Sequence, residues 1–214
     1  MPVRIPRTFF DRPTLRVARE LLGARLVRLH EGQRLSGRIV EVEAYIGQDD
    51  RASHARMGPT PRNAAMFGPP GHAYVYLIYG MHTCLNLVTE EEGFPAAILV
   101  RALEPVEGIE QQQRWRGNVP LRNLARGPGR LCRALGIDRS FNGVDLCSET
   151  STLWVEFDRH YADEAIACSP RIGVRGDETA IRAPWRFFVA DSPWVSGSAT
   201  FNRGSVHPCP TTSP

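Results

Sequence analysis

Two glutamates two residues apart, Glu41 and Glu43, stand in the stretch VEVEAYIGQDDRASH, residues 40–54. Val40, Val42, Ala44 and Ile46 alternate with Glu41, Glu43 and Tyr45, the period of a β-strand with one apolar face. The stretch reads as an edge strand whose other face carries two carboxylates and a phenol, with Asp49, Asp50 and His54 close behind. That face is either solvated or the floor of an active site. At ~3.3 Å per residue the two carboxylates lie roughly 7 Å apart along the strand. Such a pair suits the acid and base of a glycosidase, and the acids of EVEAYIGQDD suit the Mg²⁺ ligands of a nuclease. Spacing alone does not choose.

The aromatic residues narrow the field. Tyr74 and Tyr76 share one face of a strand, as sheet packing alone would ask. Tyr79-Gly80-Met81, in contrast, puts a large ring and a thioether at a hairpin apex, where there is little core to bury them. Exposed apolar groups on a protruding tip suit insertion between stacked bases. Arginines are concentrated beyond it: between Gln111 and Arg139, Arg114, Arg116, Arg122, Arg126, Arg130, Arg133 and Arg139 stand against Asp138 alone. RGPGRLCRALGI sets glycine-punctuated backbone before an amphipathic helix, whose free N–H groups can take a phosphate; Arg126, Gly129 and Arg130 are its candidate phosphate contacts. Phosphate contacts place a protein on DNA without reading sequence. Tip and arginines together favour nucleic acid over sugar.

The rest of the composition is restrictive. Net charge is only +3, yet all 26 basic positions are arginine. With no lysine, imine chemistry would need the N-terminal amine, or that of Pro2 after loss of Met1. The six histidines show no zinc spacing, and His72 and His82 flank a strand, so no metal site and no cofactor are expected. The five cysteines (Cys84, Cys132, Cys147, Cys168, Cys209) form no C-x-x-C pair and read as reduced thiols packed as small hydrophobes. Apolar content is 42% and charged content 23%, ordinary for a globular chain. No apolar run approaches the ~20 residues of a membrane helix, and the N-terminus lacks an apolar signal region. A cytoplasmic protein with no membrane contact is expected, in bacterial cytosol or nucleoid, or in a nucleus.

These residues need positioning elements. Asp11 and Pro13 precede TLRVARELLG, whose leucines recur at helical spacing until Gly23. ARLVRLH (24–30) and RLSGRIVEVEAYI (34–46) read as a hairpin around EGQ. Residues 47–71 form a long structured loop, of the kind that is usually functional. HAYVYLIYGMHTCLNLVTEEEGFPAAILVRAL holds three strands, with turns at Tyr79-Gly80-Met81 and EEEGFP. Residues 105–135 are mainly helical, and LWVEF and WRFFV add later strands. The expected fold is α+β: one mixed domain, residues 1–196, around a mainly antiparallel curved sheet with flanking helices and a protruding hairpin that inserts into DNA. Residues 197–214 are polar and Pro-rich and read as a disordered tail.

The run GRIVEVEAYIGQDDRASHARMGPTPRNAAMFGPPGHAYVYLIYGMHTCLNLV, with LVRALEP, GPGRLCRALGID, PRIGV and SPWVS following in order, resembles the alkyladenine (3-methyladenine) DNA glycosylases of base-excision repair. The resemblance covers residues 8–196. It implies a monofunctional hydrolase that flips an alkylated or deaminated purine (3-methyladenine, 7-methylguanine, hypoxanthine, ethenoadenine) from double-stranded DNA and cuts its N-glycosidic bond. Glu43 would be the base that activates water, with Arg101 and the carbonyl of Ile172 helping to hold it; Ile172 is expected to act through that carbonyl only. Glu41 would have no catalytic part. Tyr45 and Tyr76 would sandwich the flipped base, His54 would stack or hydrogen-bond at its edge, and Asn86 would lie where a guanine amino group crowds it. Tyr79 would fill the vacated stack with Met81 beside it. A monomer is implied, and the acidic EEEGFP turn is expected to point away from DNA. Extruding a base to do chemistry on it is a requirement of duplex stacking. A catalytically silent DNA-binding domain and a Mg²⁺ nuclease are the alternatives.

Overall fold

The computed structural model describes residues 3–198, 202, 209 and 210. Eight strands form one antiparallel sheet: β1 (Arg25–His30), β2 (Gln33–Ile46), β3 (Ala73–Ile78), β4 (His82–Val88), β5 (Ala96–Glu107), β6 (Leu153–Glu156), β7 (Ile166–Ser169) and β8 (Arg186–Val189). The main order is β3-β4-β5-β2-β1-β6, with β8 beside β2 and β7 beside β8. β2 is therefore a central strand and not an edge. On one side it pairs with β1 through Arg38 and then with β8 at Glu41, Val42 and Glu43, and on the other with β5 from Ser36 onward.

The alternation read along β2 sorts side chains between two covered faces. Val40, Val42 and Ala44 enter the main core with Val75, Leu85, Leu87, Ile98, Val100 and Phe187. Helices α1 (Arg7–Phe10), α2 (Thr14–Glu20) and α4 (Pro128–Leu135) carry further core residues, and α3 (Ile109–Arg116) packs half-buried Ile109 and Trp115 against them. α4 starts with proline at its first position and stops at Gly136, φ +63°, the usual asymmetry of helix ends. The opposite face is covered by the 47–71 segment, where Ala55, Met66, Tyr74, Val88 and Ala97 form a smaller cluster. Neighbouring registers align Tyr74, Asn86, Leu99, Glu43 and Arg186 in a row across β3, β4, β5, β2 and β8. Residues in such a row share a face. A short helix, α5 (Glu178–Arg182), precedes β8.

The reading of five reduced thiols is corrected at one pair. Cys168 in β7 is bonded to Cys209, 41 residues later, while Cys84, Cys132 and Cys147 are free. Long-range pairing of this kind leaves no spacing pattern in a sequence, which is why it was not legible. The disorder expected of the tail falls on residues 199–201, 203–208 and 211–214, outside the described residues. Asn202 accepts a hydrogen bond from Arg186 at 3.0 Å and donates one to the Ser196 carbonyl at 3.1 Å. The acidic EEEGFP turn lies at the other end of β4 from Tyr79, with Glu91 and Glu92 exposed.

Candidate active site

The site begins with an irregularity between β2 and β5. Ile39 pairs with Leu103, Glu41 with Ala102 and Val42 with Val100, which leaves Val40 and Arg101 without partners in the ladder. Bulges re-aim side chains, and this one turns Arg101 onto the face of the two glutamates. Its Nε donates to Glu41 Oε1 at 2.9 Å and its Nη1 lies 3.1 Å from Glu43 Oε1. Neither carboxylate is wet: both glutamates are 0% exposed.

Their surroundings assign them different work. Glu41 also accepts from Arg186 Nε at 2.8 Å, from the Ser196 amide at 2.7 Å and from the Ser196 hydroxyl at 2.8 Å. Burial pushes its pKa up, but Arg101 and Arg186 more than offset this and leave it below the usual carboxylate range. Glu41 is thus a saturated anchor that fixes Arg101. Glu43 receives the Ile172 amide at 2.7 Å on Oε1 and the Tyr45 hydroxyl at 3.0 Å on Oε2. The Ile172 backbone thus meets Glu43 through its N–H, a contact additional to the carbonyl role expected from the sequence. Burial lowers the Arg101 pKa, but Glu43 and Glu41 outweigh that effect and raise it, so the cation persists.

Above Glu43 lies a cavity of about 470 Å³, lined among others by Tyr45, His54, Tyr76, Asn86, Arg101 and Ile172. Every predicted catalytic and base-binding residue except Glu43 is in that wall, and Glu43 sits directly behind it. Tyr45 is braced from below by Arg171, whose guanidinium carbon is 4.7 Å from the ring centroid. Arg171 is itself locked by Asp50 at 2.5 and 2.8 Å and by the Ala44 carbonyl at 2.9 Å. Burial first, then the charge of Glu43, raises the Tyr45 pKa, so its phenol remains a donor. Burial raises Tyr76 as well, and pushes Tyr74 up to about 12. His54 meets Tyr76 edge-on at 4.6 Å, and its Nδ1 lies 2.9 Å from the Tyr74 hydroxyl. Loss of water around the ring, then the charges of Arg62 and Arg56, lower the His54 pKa, which favours neutral imidazole. Asn86 donates to the Tyr74 carbonyl at 3.1 Å.

The hairpin tip stands outside this cavity. Tyr79 is 84% and Met81 72% exposed, and Tyr79 (φ +52°) and Gly80 (φ +72°) are both left-handed. Just behind the tip, His82 packs on Gly129 in the first turn of α4, so close that a Cβ at 129 would fall 3.2 Å from it. The proposed phosphate set is divided. Arg126 spends its guanidinium on the carbonyls of Val195 and Gly197, at 2.6 and 2.5 Å, whereas Arg130 is exposed and touches only the Arg126 carbonyl, at 3.4 Å, among its described hydrogen bonds.

The donor chemistry does not suit a metal. Glu41 and Glu43 are bound to arginine and Asp50 to Arg171, and no group of three or more His, Cys, Asp or Glu residues among the described ones could hold an ion. Among the same residues, no helix is long and apolar enough to cross a membrane. Sequence reasoning named Asp50 and Tyr74 without their supporting roles and missed Arg171, Arg186 and Ser196 altogether. Arg186 left a signal, a charge inside the apolar run WRFFV, at the position that alternation places beside Phe188 on the face opposite Phe187.

Comparison with known proteins agrees with this geometry. The family model for methylpurine-DNA glycosylase matches residues 8–193. A relative from Methanocella arvoryzae, provisionally named a 3-methyladenine DNA glycosylase, is 54% identical over 201 residues, covering 93% of this chain and 98% of its own. A relative of the same provisional name from Alkaliphilus oremlandii is 48% identical over 203 residues, 91% of this chain and 99% of its own. Another, from Anaeromyxobacter dehalogenans, is 51% identical over 195 residues, 91% and 86% of the two chains.

Proposed function

This chain belongs to the methylpurine-DNA glycosylase family, and on that premise we propose that it excises alkylated and deaminated purines from duplex DNA with a water activated by Glu43. As a DNA glycosylase it is a hydrolase of the N-glycosidic bond. The finer reading is carried by one observation: a buried carboxylate held by Arg101, the Ile172 amide and the Tyr45 hydroxyl, directly behind an aromatic cavity.

The extruded base enters between Tyr45 and Tyr76. His54, tied through Nδ1 to Tyr74, turns its other ring nitrogen toward the base edge, and Asn86 limits what fits beside it. Water is held by Glu43 together with Arg101 and the Ile172 carbonyl. As the C1′–N bond lengthens, the sugar becomes cationic, and a fixed carboxylate facing it stabilises that charge where it develops. The water oxygen bonds to C1′, its proton passes to Glu43, and the electron pair of the broken bond leaves with the base. A cationic alkylpurine leaves as a neutral molecule; hypoxanthine needs a proton on the ring. Three donors on one carboxylate fix its orientation and leave an acceptor position for the water. With no lysine in the chain, water is the nucleophile and the abasic strand stays intact. Tyr79, with Met81, occupies the vacated stack, and Gly129 and Arg130 at the start of α4 take a phosphate, with Arg126 holding the neighbouring backbone. The enzyme works as a monomer.

The test uses duplexes carrying hypoxanthine or methylated purines, in EDTA, with free base followed by chromatography and strands run with and without hot alkali. Base release with breaks only after alkali is the expected result. Tight binding with no release would identify a silent binder, and breaks that require Mg²⁺ a nuclease.

A further inference from the structure

Three large apolar side chains are far more solvent-exposed than the rest of the described globule needs: Tyr79 at 84%, Met57 at 82% and Met81 at 72%. Tyr79 and Met81 belong to the hairpin tip. Met57 belongs to a separate segment, the 3₁₀ turn His54–Met57, and nothing so far gives it a task.

The backbone beneath Met57 is unusually well fixed for so exposed a residue. The Ser53 hydroxyl accepts from the Ala55 amide at 3.1 Å. Gly58, in a left-handed conformation at φ +84°, donates back to the Ala55 carbonyl at 2.8 Å. Buried Asn63 closes the other side, donating to the carbonyls of His54 at 2.9 Å and Gly58 at 3.0 Å. In a 3₁₀ turn, residues three apart eclipse one another, so Met57 stands in line with His54. Both side chains line the same cavity, whose wall also includes Ile78, the residue before Tyr79. Arg56 and Arg175 line it too, and both are exposed. A mouth with a fixed backbone that holds an apolar side chain in water, with two exposed arginines in the same wall, fits a surface that is apolar in places and anionic in others. The edge of a duplex whose stack has been opened is such a surface.

We infer that Met57 is a second apolar contact to the DNA, packing on the nucleotide beside the extruded one and bracing the opened stack from the 47–71 segment, while Tyr79 fills it from the hairpin. The inference rests on the proposed reading that a base flips into this cavity. Its role is positioning, because it acts on the flipped state and not on the reacting atoms.

Single-turnover base release is measured for wild type, Met57→Gln and Met57→Leu on two substrates: hypoxanthine in an intact duplex, and hypoxanthine within a short unpaired bubble whose neighbours are already unstacked. Met57→Gln keeps length and removes apolar character; it slows release from the duplex about 5-fold, the worth of partly burying one such side chain, and leaves the bubble unchanged. Met57→Leu matches wild type on both. The melting temperature of each variant stays at the wild-type value, since the side chain touches solvent. Equal rates for Met57→Gln and wild type on the duplex, or equal slowing on both substrates, would overturn the inference while leaving the glycosylase reading intact. No base release by wild type would overturn that reading, and the role of Met57 with it.

Discussion

Tyr79 should make the protein less stable than it could be. It is a bulky residue at φ +52°, followed by Gly80 at φ +72°, in a turn between strands where two left-handed residues are wanted and Asn-Gly is preferred. A side chain with a Cβ in this region costs roughly 1–2 kcal/mol, and at 84% exposure the ring recovers little by burial. Tyr79→Asn supplies the preferred pair, so the variant should gain about 1 kcal/mol. For a chain of this size that is a rise in melting temperature of roughly 2–4 °C. The same change removes the ring proposed to fill the vacated stack. Stacking of a base on an aromatic ring is worth ~1–3 kcal/mol, so affinity for lesion-containing duplex should fall by between ~5-fold and ~150-fold. Chemical denaturation, with a fluorescent purine beside the lesion as a reporter of unstacking, measures both effects. A variant no more stable than wild type would refute the strain reasoning. One that opens the stack normally would refute the wedge.

Glu41→Gln leaves Arg101 and Arg186 facing a neutral amide in a fully buried site and should cost about 3–5 kcal/mol of stability, read by denaturant titration. Acid should act on the same carboxylate: with its folded pKa held below the ordinary Glu value, its contribution is complete above that ordinary value. It is lost as pH falls through the lower folded value. Thermal melts from neutral pH downward should show that loss, and Glu41→Gln should flatten it. Reduction of Cys168–Cys209, which closes a loop spanning 41 residues, should lower stability by about 2–4 kcal/mol. Cys209→Ser should reproduce the loss and become indifferent to reductant.

Period-two alternation was enough to place Glu43 and Tyr45 on one face of a strand and Val42 and Ala44 on the other. Alternation could not tell a wet face from one roofed by residues 47–71, so β2 read as an edge although it lies centrally. The hairpin was legible because a large ring beside glycine has no place in a core. Arg101 was placed at the site by resemblance alone; the bulge that turns it there depends on how two strands 60 residues apart slip in register. The supports Asp50 with Arg171, and Glu41 with Arg186 and Ser196, are pairings over long sequence separations, as is Cys168 with Cys209. Such pairings are decided by topology and leave little local trace.

The central claim is that Glu43 activates the attacking water. Single-turnover base release from a hypoxanthine duplex, comparing wild type with Glu43→Gln in EDTA, tests it most directly. The amide keeps the shape and can still meet Arg101 and Tyr45 but cannot take a proton, so release should fall by ~10²–10⁴ while affinity for the lesion duplex changes little. Release at close to the wild-type rate would contradict the account.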